Sequence, residues 1–122
     1  MSDEGYTLEI ITANQERFEI KLITAIAPMT IFELMKKIPL KSTLIVHGNR
    51  ILIPVPISMR MEKPSTNILK GDITYSTLNK SLIIHLEEEK IKTPETKIGK
   101  IASLEELRRI KSGTNIIIRR KD

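Results

Sequence analysis

Cysteine is absent from this chain of 122 residues. Its absence excludes disulfide frameworks, cysteine-ligated zinc and thiol nucleophiles, and suits a reducing compartment. Tryptophan is absent too, and the aromatic residues are Tyr6, Phe18, Phe32 and Tyr75. No apolar run approaches the ~18 residues of a membrane span. Met1 to Gly5 is acidic and polar, without the basic start and apolar stretch of a signal peptide. The expectation is a cytoplasmic protein with no membrane partner.

Isoleucine is abundant, with 22 copies, and the net charge is +5. The length suits one domain, and such a chain buries a core without staples. Much Ile, Lys and Glu with no Cys is a thermophile-like bias, which an AT-rich genome would also produce.

Periodicity divides the chain. Tyr6 to Thr12 and Arg17 to Ile23 read as strands around a hairpin-length loop. In the second, Phe18, Ile20 and Leu22 alternate with Glu19 and Lys21. The period then changes. Ile31, Leu34, Met35 and Ile38 form one helical face, which Pro28 can open and Pro39 closes. Strands resume at Thr43 to His47 and Arg50 to Val55 around Gly48-Asn49, a tight-hairpin signal. Pro54 and Pro56 donate no ladder hydrogen bonds, so this strand lies at an edge or ends there.

Ser58 to Lys63 reads as a further short strand and Pro64 to Asn67 as a loop. Asp72 to Thr77 and Ser81 to Leu86 read as a strand pair. Glu87 to Glu95 is charged and reads as a surface loop, and Ile98 to Ala102 as a strand. Ser103 and Glu106 have capping-box spacing ahead of a short helix with Leu104, Leu107 and Ile110 on its buried stripe. Gly113 ends that helix, and Asn115 to Arg120 is the last strand. About eight strands and two short helices make a mainly β pattern of the barrel or sandwich kind.

The segment Gly71-Asp72-Ile73-Thr74-Tyr75 resembles an element of a small prokaryotic cyclophilin-like domain family of unknown function. The run Ile98-Gly99-Lys100-Ile101, the helix Leu104 to Lys111, the Gly113 turn and the final strand are similar to that family's ending. The match covers residues 6 to 121. It implies a closed, eight-stranded antiparallel barrel with two short helices, with residues 1–5 as a disordered tail and 6–122 as the single domain. Family members follow the Gly-Asp element with Trp-Pro-Pro-Gly and an aromatic pair. Here the stretch reads Ser76-Thr77-Leu78-Asn79-Lys80, and a family Trp-Gly step is His47-Gly48. An aromatic-lined concavity has therefore been largely stripped away. Cyclophilins proper are prolyl isomerases that use an Arg in a Phe-His-Arg motif. That motif is absent, leaving Arg50 and Arg60 as the mid-chain arginines that could approach a proline amide.

The remaining chemistry is sparse. His47 and His85 lack a zinc-site spacing with further ligands. No nucleophile elbow and no glycine-rich phosphate loop occur. Asp72 reads as a turn carboxylate, and Tyr75 as core or groove lining. Six of the last fifteen residues are basic, but strand alternation points Arg119 and Lys121 one way and Arg120 the other. A split patch and few aromatics argue against nucleic acid.

The expectation is a binding domain without catalytic residues, metal or cofactor. It takes a peptide segment or small ligand in a barrel-side groove, with His47, Arg50, Arg60, Tyr75 and His85 as candidate binding residues. The alternatives are a divergent prolyl isomerase and a weak RNA-binding module.

Overall fold

The computed structural model describes residues 4–121. Nine strands are present: β1 Gly5–Thr12, β2 Arg17–Ile23, β3 Leu40–His47, β4 Arg50–Pro54, β5 Ser65–Ile68, β6 Asp72–Ser76, β7 Ser81–His85, β8 Glu89–Ile101 and β9 Thr114–Arg120. Helix α1 (Pro28–Lys37) lies between β2 and β3, and the short α2 (Leu104–Leu107) between β8 and β9.

Eight of these strands form the expected closed antiparallel ring. The order is β2-β1-β9-β3-β4-β7-β6-β8, and β8 returns to β2. The closing seam pairs Ile20 with Ile101, Lys21 with Lys100 and Leu22 with Gly99. A Cβ on Gly99 would stand 2.0 Å from the Lys21 carbonyl oxygen, so only glycine lets the two backbones meet there. Gly48, at φ +61°, makes the β3–β4 hairpin turn, a conformation glycine adopts without steric cost.

Alternation fills the barrel. Leu8, Ile10, Phe18, Ile20, Leu22, Leu44, Ile51, Ile53, Ile73, Tyr75, Leu82, Ile84 and Ile118 share one buried core. Helix α1 adds Ile31 and Leu34, and α2 adds Leu104 and Leu107. Most of the isoleucines therefore fill the barrel, where β-branched side chains suit a pleated, packed surface.

Three readings of the sequence are corrected. Residues 58–63 form no strand; the fifth strand is Ser65–Ile68, in the segment expected to be a loop. Residues 89–95, expected as a surface loop, are the first half of the long strand β8. Their buried positions, Ile91 and Glu95, lie four apart among charged residues, and this spacing conceals the strand. Ser103 precedes α2 but makes no side-chain cap. Of the tail expected over residues 1–5, residues 1–3 lie outside the described residues, the Glu4 carbonyl accepts from the Thr24 amide, and Gly5 opens β1.

Strand β5 stands outside the ring. It pairs only with β8, at Asn67 to Lys90 and Ile68 to Glu89. With the first half of β8 it makes an arm over the outer face of β4, β7 and β6. Register puts Thr74 and Ile83 on that outer face, opposite each other and between inward-facing neighbours, yet both are fully buried. Ile68 and Ile91 of the arm are also buried, and with Ile83 they lie outside the main core cluster. They form a second, small apolar layer.

Candidate functional site

Of the five residues expected to bind ligand, the structure brings three together. His47 pairs with Arg50 across β3 and β4, and Arg50 pairs with His85 across β4 and β7. Directly opposed residues in an antiparallel pair point to the same side, so this row lies on the barrel's outer face. His47 stays exposed at the β3–β4 turn. His85 is wholly buried beneath the arm.

The buried imidazole sits in a closed polar cluster. The Thr74 hydroxyl donates to Glu95 Oε1 at 2.6 Å. His85 Nε2 lies 3.1 Å from the same oxygen and 3.0 Å from Thr74 Oγ1. On its other side, His85 Nδ1 faces Glu89 Oε1 at 3.5 Å. Arg50 Nε donates to that Glu89 oxygen at 3.0 Å. Burial pushes the Glu95 carboxyl up, but the hydrogen bonds from His85 and Thr74 outweigh it and leave the carboxyl below its ordinary range. The Arg50 hydrogen bond does the same for Glu89.

This cluster fastens the arm to the barrel rather than presenting an open catalytic group. The imidazole is wholly enclosed, and its neighbours are the arm's own carboxylates. Among the described residues, no three histidine, aspartate or glutamate side chains are arranged to hold a metal ion. Glu95 and Arg50 also border a crevice of about 300 Å³ with Ser76, Asn79, Lys90 and Lys92. Glu95 and Thr74 were not singled out from the sequence. Glu95 lay in an apparently solvated charged stretch, and a lone Thr in a strand carries no motif.

The other two candidates are elsewhere. Tyr75 faces the interior, fully buried, and donates its hydroxyl to the Ile57 carbonyl at 2.8 Å. It is core, so the concavity expected around Tyr75, His47 and Arg60 does not form. Arg60 is exposed on the 58–63 segment. Asp72 does what a turn carboxylate does: it accepts from the Leu69 amide at 2.9 Å, and from Lys97.

With the β4-β7-β6 face covered, the concave surface that stays open is the outer face of β2, β1, β9 and β3. Register orders it into rows. Thr7 pairs with Lys21 and Lys21 with Lys100, and the Lys121 amide bonds the Thr7 carbonyl. The next row is Glu19, Glu9 and Arg119, and the third is Arg17, Ile11 and Ile117, with Lys41 opposite Ile117 on β3.

The first row lines a concavity of about 740 Å³ together with Ile101 and Ala102. The third lines one of about 560 Å³ with Thr12 and Asn115. The ion pairs of the middle row divide them: Glu9 meets Arg17 at 3.7 Å and Arg119 at 3.3 Å, and Lys121 bonds Glu19. Six cations thus face two carboxylates over these rows. Lys21 and Lys100 stand directly opposite each other with no ion-pair partner among the described residues. Like charges so opposed repel.

Arg119 and Lys121 take part on this face, while Arg120 turns away and lies over the Tyr6 ring, 5.0 Å from its centre. The expected split of the C-terminal cluster is therefore correct. Its outward half, however, joins cations of β2, β3 and β8 that are distant in sequence.

A closed eight-stranded antiparallel barrel with one helix after its second strand and a shorter one before its last defines the cyclophilin-like class. The chain belongs to the cyclophilin-like family, whose model matches residues 7–119. It is similar to a hypothetical protein of Archaeoglobus fulgidus, known from a solution structure. That likeness has a TM-score of 0.79 at 21% identity and covers 99% of this chain and 100% of the other. It is also similar to McbB in a structure with tryptophan, at a TM-score of 0.77 and 17% identity, over 93% of this chain and 44% of McbB. At these identities the likeness concerns the fold. No curated protein matches the chain in sequence.

Proposed function

We propose that this chain is a binding module whose ligand lies on the open outer face of β2, β1, β9 and β3. The ligand carries carboxylates on an aliphatic body, as a short acidic peptide segment or a small carboxylate does. The observation that carries this reading is the Lys21–Lys100 pair, without an ion-pair partner among the described residues, beside Lys121 and across the middle row of ion pairs from an isoleucine floor. An anion over the lysines would relieve their repulsion. Ile11 and Ile117, the latter 40% exposed, would receive the aliphatic part between Arg17 and Lys41. The two concavities fall in the 300–1,000 Å³ range typical of small-ligand sites. None of the four aromatic side chains lines either concavity, which favours a peptide or small acid over stacked nucleobases.

Fluorescence anisotropy with a labelled Glu-Leu peptide tests this. Binding is expected to weaken by about tenfold between low and high salt, because the attraction between solvent-exposed lysines and the peptide's carboxylates is screened. It should also be lost in Lys21→Glu/Lys100→Glu. A Lys-Leu peptide binding equally well would contradict the proposal. So would a short single-stranded RNA binding more tightly through the same lysines.

A further inference from the structure

The methionines lie on a different face. Among the described residues, Met29 and Met35 are on α1, and Met59 and Met61 are on the segment that follows β4. The two segments are tied together. The Glu62 carboxylate accepts from the Met29 amide at 3.1 Å and the Thr30 hydroxyl at 2.6 Å, capping the start of α1. Met35 and Met59 pack partly against the core. Met29 and Phe32 stay 62% exposed, and Met61 45%.

Met29 and Phe32 are three residues apart and so share one face of α1. An aromatic-poor chain thus leaves one of its four aromatic rings in solvent, beside two methionines. Unbranched thioether side chains adapt to varied apolar partners, which is why binding surfaces use them.

The rim of this patch is basic. Lys36 lies over the Phe32 ring at 4.7 Å and Lys63 donates to the Ala25 carbonyl, while Lys37 follows in the last turn of α1 and Arg60 is exposed immediately before Met61. The nearby carboxylates are engaged: Glu33 pairs with Lys36 at 2.9 Å, and Glu62 caps the helix. We infer that this face docks an amphipathic helix of a partner protein, with apolar residues on one side and acidic residues at its edges. Leucine or similar anchors would cover Met29, Phe32 and Met61, while its carboxylates meet Arg60, Lys37 and Lys63. Three side chains are far fewer than the ~800 Å² per partner of a stable association needs, so the contact is transient. A second copy of this chain does not suit it, because a two-fold contact would set the basic rim against itself.

The protein labelled with ¹³C at the methionine and isoleucine methyl groups is titrated with an amphipathic peptide of about four turns, leucine on one face and glutamate on the other. The Met29 and Met61 signals should move, whether or not the outer-face isoleucines also respond to this acidic peptide, and Phe32→Ser should weaken the methionine response by about tenfold. Arg60→Glu/Lys63→Glu should weaken it as well, while folding by circular dichroism stays intact. Four results would each overturn the inference. They are an unmoved pair of methionine signals; an equal response to a leucine-lysine peptide; concentration-dependent shifts with a dimer in sedimentation; and equal binding to anionic phospholipid vesicles. Movement of the isoleucine signals alone would leave the outer-face reading standing and remove this one.

Discussion

His85 is buried without access to solvent, and Glu95 and Thr74 complete its surroundings. Glu95→Gln keeps an acceptor oxygen for both donors but replaces their charge-assisted hydrogen bonds with neutral ones and sets an amide donor among buried groups, at a cost of about 1–3 kcal/mol. Glu95→Gln is therefore expected to lower unfolding stability by that amount in urea. Because Glu62, Glu89 and Glu95 all sit below the ordinary carboxylate range in the fold, the native state binds fewer protons than the unfolded chain. Their contribution is present above the unfolded value of ~4.3 and is lost as pH falls through the folded values. Wild type should lose stability between pH 6 and pH 3.5, and Glu95→Gln should lose less over the same interval. Tyr75→Phe removes one buried hydrogen bond, costs about 1 kcal/mol and leaves peptide binding unchanged, since Tyr75 is core. At this scale the sequence pointed to Arg50 and His85, because a histidine and an arginine in apolar strands stand out. It misplaced Tyr75, since alternation puts Tyr75 with Ile73 but cannot say which side of a barrel faces inward.

The arm is the element that most changes the picture of this chain. Each fully buried isoleucine contributes about 1.5–3 kcal/mol, so Ile68, Ile83 and Ile91 hold the arm more than the Arg50–Glu89 pair does. That pair is about a third exposed on both sides and is worth about 0–1 kcal/mol. Arg50→Ala should therefore raise amide hydrogen exchange in β5 and residues 89–95 while hardly moving the global melting temperature. The barrel seam is less tolerant. Gly99→Val sets a side chain against the Lys21 carbonyl and should cost at least about 1–3 kcal/mol by overpacking, seen as a lowered urea midpoint. Strands β1, β2, β4, β6, β7 and β9 were readable because they alternate or carry turn signals. The arm was not, because β5 is four residues long with only Ile68 apolar, and the first half of β8 is charged with its buried positions four apart.

For the whole molecule, the consequence is an asymmetric barrel. The interior is filled, one outer face lies under the arm, and the opposite face is open and basic. No helix among the described residues is long and apolar enough to cross a membrane. The barrel and its order were readable from motif order, but the open face was not. Its cations come from β1's neighbours on both sides and from β8 and β3, which only ring closure brings together. The family resemblance pointed to missing aromatic residues near His47 and residues 76–86, and the open face, which lies elsewhere on the barrel, is built from lysine, arginine and isoleucine. The direct test is a methyl NMR titration of isoleucine-labelled protein with an acidic Glu-Leu peptide. Ile11, Ile117 and Ile101 should shift together and saturate, with Ile83 and Ile91 unmoved beneath the arm. Shifts at Ile83 and Ile91 with none at Ile11 and Ile117 would contradict the account and place the ligand under the arm.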